Sequence, residues 1–309
     1  MTNGRRRIIV AGATGFLGTR LVGRLVERGD SVTAFVRSVE RARRTLRRGV
    51  ELVPWSDADA DGPWRAHVDG ADAIVNLAGT SLGERWNEDL KRRARDSRIL
   101  STRHLVAAIA SSGKPPSVLV NASAVGYYGA NPPGAVTEDS PPADDFMAQL
   151  ARDWESEALR ARDLGVRVVL VRTGVVLHPD GGALEKLLIP FKLFVGGPIG
   201  TGRQPLPWIH IDDEIGILLW ALDDERVSGP VNAVAPGIVT NRELAHEIGR
   251  AMGRPSFFPA PALAIKLVLG EGAILVTGGQ HAVPKRTTEL GYRFEHPKVR
   301  EALESLLKR

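Results

Sequence analysis

Not one of the 309 residues is a cysteine, which excludes disulfides and thiolate metal centres. A reducing, cytoplasmic setting suits that absence. Long hydrophobic runs are missing too. The most apolar late stretch, residues 262–277, is interrupted by Lys266 and Glu271, so it is too short and too charged to span a bilayer. Arg5, Arg6 and Arg7 precede an apolar run as in a signal peptide, but that run carries three glycines and soon meets Arg20. A nucleotide loop explains it better. There is no internal repeat and no low-complexity tract. Two basic runs, residues 37–48 and 91–98, sit within a net charge of +5. Neither has interleaved aromatics to stack bases, so they read as solvated helix faces and not as a nucleic-acid interface. Metal and hydrolase motifs are absent as well. The seven histidines show no His-x-x-x-His pair for zinc. Asp57, Asp59 and Asp61 alternate without the ligand run of a calcium loop, and Ala-Ser-Ala-Val-Gly at 122–126 does not meet the Gly-x-Ser-x-Gly elbow. No metal site is expected.

What is present begins at residue 6. Arg-Arg-Ile-Ile-Val-Ala-Gly-Ala-Thr-Gly-Phe-Leu-Gly is a short apolar strand breaking into Gly12, Gly15 and Gly18, followed by a helical run from Thr19. The first glycine permits a tight turn, the second lets backbone approach a pyrophosphate, and the third lets helix and strand pack closely. A helix N-terminus adds unpaired N–H groups and partial positive charge. Dinucleotide binding is the implication, with Gly12, Thr14, Gly15, Phe16, Leu17 and Gly18 forming the cradle.

Short strands then alternate with helices. Strands are expected at 8–11, 31–36, 51–54, 71–77, 117–122 and 167–171. Helices are expected at 19–28, 41–48, 87–110 and 145–161. This pattern indicates an α/β fold, a doubly wound parallel (Rossmann) sheet, with ligands at the carboxyl ends of its strands. After Thr173, glycine and proline become dense between residues 181 and 207 and the chain reads as a loop-rich lobe or lid, followed by helices expected at 214–222, 241–252 and 297–307 and a strand at 231–234. Residues 1–175 are therefore expected to form the nucleotide domain, to which 209–234 return, and residues 176–309 a smaller substrate lobe.

The end of the second strand discriminates between dinucleotides. An acid there bonds ribose hydroxyls, whereas an arginine accommodates a 2′-phosphate. This chain has Val36-Arg37, with Arg41 and Arg44 on the next turn. An arginine fork suits a phosphate dianion, so NADP is expected over NAD. Asn76-Leu77-Ala78-Gly79 ends the fourth strand with small residues across which a cofactor can lie.

Ala-Gly-Ala-Thr-Gly-Phe-Leu-Gly (11–18), Asn-Leu-Ala-Gly (76–79) and Asn-Ala-Ser-Ala-Val-Gly-Tyr-Tyr-Gly (121–129) resemble motifs of the extended short-chain dehydrogenase/reductase superfamily. Further segments make the chain similar to its NAD(P)-dependent epimerase/dehydratase-like family. They are Arg-Trp-Asn (85–87) with Ser-Arg (97–98), Leu-Leu-Ile-Pro-Phe (187–191), Gly-Gly-Pro-Ile-Gly-Thr-Gly (196–202) and Pro-Trp-Ile-His-Ile-Asp-Asp (207–213). The resemblance covers nearly the whole chain. It implies NADP contacts from the glycine loop, Val36, Arg37, Leu77, Ala78, Arg98 and Val176, and it places Ser123 at the catalytic serine. It also implies an unidentified small-molecule substrate. Superfamily members often dimerise through two helices, here 87–110 and 145–161, so a homodimer is an expectation.

The pattern breaks at one place. The superfamily's acid/base chemistry normally uses Tyr-x-x-x-Lys on a helix, where the lysine lowers the tyrosine pKa. The equivalent helix places Met147 and Ala151 at the aligned positions, and neither transfers a proton. Three accounts stay open: Tyr127 or Tyr128 supplies the proton, His210 or Asp212 does, or the protein binds NADPH without turnover. The leading expectation is an oxidoreductase or epimerase-like enzyme in which Ser123 holds the substrate oxygen. The alternative is a non-catalytic NADPH-binding regulator or sensor.

Overall fold

The computed structural model describes residues 5–308; residues 1–4 and 309 lie outside it. A seven-stranded sheet is its centre. It comprises β1 (Arg7–Ala11), β2 (Ser31–Val36), β3 (Glu51–Pro54), β4 (Ala73–Asn76), β5 (Val118–Ala124), Arg167–Thr173 and Gly229–Ala233. Across the sheet the order is Gly229–Ala233, Arg167–Thr173, β5, β4, β1, β2, β3, with every neighbouring pair parallel. The chain moves outward from β1 through β2 to β3, then crosses back to β4. A crevice therefore opens between the carboxyl ends of β1 and β4, where Ala11 pairs with Asn76.

Alternation along the strands feeds two cores. Ile8 and Val10 face Leu21, Val22 and Leu25 of α1 (Phe16–Arg28). Ile9 and Ala11 face the other side with Ile74, Leu119, Leu105 and Ile109. The last two of these belong to α3 (Glu88–Ala110), whose N-cap Asn87 accepts the Leu90 N–H. The shorter α2 (Val39–Thr45), between β2 and β3, is capped by Ser38. Helix α4 (Phe146–Leu159) starts at Asp145, whose carboxylate accepts the Ala148 N–H. Such caps satisfy orphan donors of the first turn.

The stretch after Thr173 departs from its loop-rich reading. It contains α5 (Gly182–Lys192), with Pro190 inside. Leu184, Leu188 and Phe191 are buried at helical spacing, and burying that stripe outweighs the glycine and proline penalties. The same apolar cluster includes Trp208, Leu244, Ile248, Val299 and Leu303, and forms the core of the smaller lobe. Helix α6 (Ile211–Asp223) returns the chain to the sheet, and α7 (Asn241–Met252) begins with a Thr240/Glu243 capping box. Helix α8 (Ala262–Leu269) buries none of its residues. Among the described residues, no helix is long and apolar enough to cross a membrane.

Candidate functional site

The glycine turn closes the crevice between β1 and β4. Gly12 has φ +74°, and a Cβ there would lie 2.6 Å from the Leu77 carbonyl oxygen. Gly18 sits beneath the turn: a Cβ would lie 2.2 Å from Gly12 O and 2.8 Å from Ala13 Cα. Side chains at these positions would fill the cradle or lift α1 off the sheet. Gly15 is the N-cap of α1, with no capping side chain and no acid in the first turn. The first N–H groups of the helix are thus left for an anion.

The opposite wall is held from below. Asn76 is fully buried. Its amide donates to Thr102 Oγ1 (2.9 Å) and Asn121 Oδ1 (2.7 Å), and its carbonyl oxygen accepts the Ala78 N–H (3.2 Å). Trp154 Nε1 also donates to Thr102 Oγ1 (2.9 Å). These bonds fix the ribbon Leu77–Gly79. Arg98 passes close behind it: the guanidinium carbon is 3.0 Å from a Cβ built at Gly79. Arg98 Nη1 donates to the carbonyls of Thr80 (3.0 Å) and Ala94 (3.1 Å), and the guanidinium lies over the Trp154 ring. Burial pulls its pKa down to about 10.

Between these walls is a cavity of about 240 Å³. It gathers Gly12, Thr14, Gly15, Val36, Arg37, Leu77, Ala78 and Gly79, all expected from the sequence. Among the described residues, neither Arg37 nor Arg41, which also lines the cavity, has a carboxylate partner. Arg44 differs, pairing with Glu40 at 3.1 Å. Phe16 stands at the side of the loop, its ring pressed on Gly181, where a Cβ would come within 2.6 Å. Leu17 and Val176 pack partly buried against the same core.

Beyond β5, a buried polar network occupies the place of the expected chemistry. Ser123 is 4% exposed, and its hydroxyl donates to Glu155 Oε1 at 2.6 Å. Arg172 grips the same carboxylate with two bonds of 2.8 Å. Its Nη1 donates to the Tyr128 hydroxyl (3.0 Å) and to the Glu138 carbonyl (3.2 Å). The Tyr128 hydroxyl in turn donates to Asn232 Oδ1 at 2.6 Å. Burial pushes the Tyr128 pKa up to about 12. Burial pulls Arg172 down, but the bonds and charge of Glu155 together with the Tyr128 contact hold it above its ordinary value. Tyr127 is only half-buried; its ring lies over Arg172, 3.5 Å from the guanidinium carbon. Met147 packs on Gly126, and Ala151 is buried.

The sequence profile of the NAD dependent epimerase/dehydratase family matches residues 8–234. The chain belongs to that family. Residues 260–306 match a second profile, a domain of unknown function, DUF1731. Human epimerase family protein SDR39U1 is 39% identical over 306 residues, covering 97% of this chain and 99% of the relative. Epimerase family protein YfhF of Bacillus subtilis is 37% identical over 302 residues, covering 97% of each. A crystal structure of the human SDR39U1 protein (isoform 2) with NADPH superimposes with TM-score 0.88 at 38% identity, covering 98% of this chain and 99% of that one. UDP-glucose 4-epimerase from Thermotoga maritima shares the fold, with TM-score 0.79 at 18% identity, covering 98% of this chain and 97% of that one.

In this epimerase-family chain the residues considered for proton transfer have distinct surroundings. The single protons of Ser123 and Tyr128 are committed to Glu155 and Asn232, so neither hydroxyl is aimed outward as a donor. His210 and Asp212 line a separate cavity with Thr19, Arg20, Gly23, Arg24 and Glu27 of α1. There His210 Nδ1 accepts the Asp212 N–H (3.1 Å) and caps α6. Glu155, Arg172 and Ser101 were not singled out from the sequence, and Asn76 and Ser97 stood only within motifs, without roles of their own. Trp55, Ser56 and Asp57 also border the crevice. Their position at the end of β3 was the available signal.

Proposed function

We propose that this epimerase-family protein binds NADP(H) and acts as an oxidoreductase or epimerase-like enzyme on a small carbonyl or alcohol. The observation that carries the cofactor reading is the pairing of an uncapped, glycine-lined helix terminus with two carboxylate-free arginines in one crevice. The residues fit the group. Backbone N–H groups around Gly15 would hold the pyrophosphate, Arg37 and Arg41 the 2′-phosphate, and Leu77–Gly79 would lie along the cofactor's flank. Arg98, Phe16 and Val176 would support the surrounding walls. NADPH in the crystal structure of the human relative supports the same assignment.

When bound, the cofactor would supply or accept hydride. The chain's part is proton movement and positioning. Tyr127 carries the one tyrosine hydroxyl of the 121–129 segment without a hydrogen bond to another described residue, and is the proton donor we assign. Ser123 and Tyr128, through Glu155 and Arg172, hold the Tyr127 ring in place. A second reading, a non-catalytic NADPH-binding regulator, draws on Met147 and Ala151 standing at the acid/base positions.

Titrating wild type and Arg37→Asp with NADPH and NADH tests the cofactor assignment. Wild type should prefer NADPH and the variant should shift toward NADH; equal wild-type affinities would sink it. NADPH oxidation over a carbonyl panel, with Tyr127→Phe alongside, tests the reaction. Turnover lost in Tyr127→Phe supports the enzyme, and tight binding without any turnover supports the regulator.

A further inference from the structure

We propose that His210, Asp212 and His296 form a site for a divalent transition metal, best suited to Zn²⁺, in a cavity separate from the cofactor crevice. The three come from two distant stretches: the junction of strand Trp208–His210 with α6, and the segment preceding helix Val299–Leu307. One ligand atom from each lies within 4.8 Å of the others. The rings of His210 and His296 overlap, with centroids 3.7 Å apart and planes at 33°.

The arrangement is held from behind. Asp213 is fully buried. Its carboxylate accepts the backbone N–H groups of Glu295 (2.8 Å) and His296 (2.9 Å), which clamps the His296 segment to the first turn of α6. Ser305 orients the His210 ring. Its hydroxyl donates to the Ala302 carbonyl at 2.8 Å, so its oxygen is left to accept from His210 Nε2, 3.3 Å away. That fixes the tautomer with the proton on Nε2; the Nδ1 lone pair accepts the Asp212 N–H (3.1 Å), a capping bond that the ion would replace, and Asp212 Oδ2 is 3.6 Å distant. A ligating imidazole whose second nitrogen donates to a neighbouring oxygen is the usual supporting arrangement around metals.

The donor set selects the ion. Two imidazoles and one carboxylate suit Zn²⁺ and disfavour the all-oxygen cations calcium and magnesium. Zinc bonds of about 2.0–2.2 Å in tetrahedral geometry set ligand atoms roughly 3.3–3.5 Å apart. Closing from 4.8 Å requires rotation of Asp212, which is exposed, and of the half-buried His296, together with exchange of the Asp212 N–H on His210 Nδ1 for the ion. The three side chains border a cavity of about 570 Å³, so a fourth coordination position would open onto solvent. Three arginines line this cavity: Arg47 is paired with Glu27 (2.6 Å), Arg20 is directed at His178 (3.0 Å) and over the Phe16 ring, and Arg24 has no ion pair among the described residues.

The test uses the full chain, treated with chelator and dialysed. Calorimetric titration with Zn²⁺ should show one ion per chain, and Co²⁺ should produce the visible ligand-field band of a four-coordinate site. His296→Gln and Asp212→Asn alter accessible side chains, and their melting temperatures in chelator should match wild type. Each should weaken Zn²⁺ binding by about 100-fold or more, beyond the 10- to 100-fold loss typical of supporting residues alone. No saturable binding up to ~1 mM Zn²⁺, far weaker than protein zinc sites, would overturn the proposal. So would equal affinity in wild type and both variants.

Discussion

Replacing Ser123 with alanine should lower stability by about 1.5–3 kcal/mol, the range for a hydrogen bond to a charged group. The hydroxyl is almost wholly buried, and its 2.6 Å bond goes to a carboxylate that Arg172 already grips twice. Glu155→Gln acts on the same centre more severely. It leaves the Arg172 guanidinium, 3% exposed, without its counter-charge, a change that costs about 3–5 kcal/mol for buried pairs. In the Glu155→Gln background Ser123 would retain only a neutral bond, worth about 0.5–1.5 kcal/mol. The two substitutions should therefore couple by about 1–2 kcal/mol, as contacting residues in one network do. Urea unfolding of wild type, both single variants and the double variant measures the cycle, with unchanged m-values confirming that only stability has moved. The reasoning fails if Ser123→Ala lies within about 0.5 kcal/mol of wild type, the range of a neutral surface change. Failure combined with a large loss of turnover would return Ser123 to direct contact with substrate.

Glu214 gives the chain a pH dependence of its own. It is fully buried, accepts one bond from Thr173 Oγ1 (2.9 Å), and burial lifts its pKa from an ordinary 4.5 to about 8. The folded chain then keeps a proton that the unfolded chain releases, so this contribution is complete below pH 4.5 and is lost as pH rises through about 8. At about 1.4 kcal/mol per pH unit, wild type should lose roughly 2–3 kcal/mol between about pH 5.5 and 7.5 relative to Glu214→Gln. Parallel melting temperatures for the two proteins over that range would contradict it. Two glycines of α1 should respond in opposite senses. Gly18→Ala drives a methyl into backbone at 2.2 Å and should cost at least about 1–3 kcal/mol, with weakened NADPH binding by fluorescence titration. Gly23→Ala meets nothing nearer than Arg47 Nε at 3.8 Å and should stabilise by about 0.5–1 kcal/mol in thermal or urea unfolding.

Much of the crevice was legible in sequence because its parts are local. The spacing of Gly12, Gly15 and Gly18, the strand–helix alternation and Arg37 at the tip of β2 each depend on a few contiguous residues. Their roles follow from backbone conformation, not from distant partners. Element ends were less secure: β5 continues to Ala124 instead of stopping at Ala122, because the sheet partner Arg167–Thr173 extends alongside it and pairs Ser123 with Arg172. Helix α5 was obscured by its glycine and proline content. Its formation rests on Leu184, Leu188 and Phe191 finding a core assembled from residues as far away as Leu303.

By itself, then, the sequence determined a Rossmann sheet, a dinucleotide cradle and the want of a tyrosine–lysine pair. Tertiary structure decided which hydroxyls are available. Ser123 meets Glu155 across 32 residues, and Tyr128 meets Asn232 across 104. His210 and His296 were scattered histidines until the Asp213 clamp brought them into contact. The physical reason is common to all three. Desolvation and pairing of a polar group depend on what surrounds it in space, and those neighbours come from remote parts of the chain that no local spacing reveals.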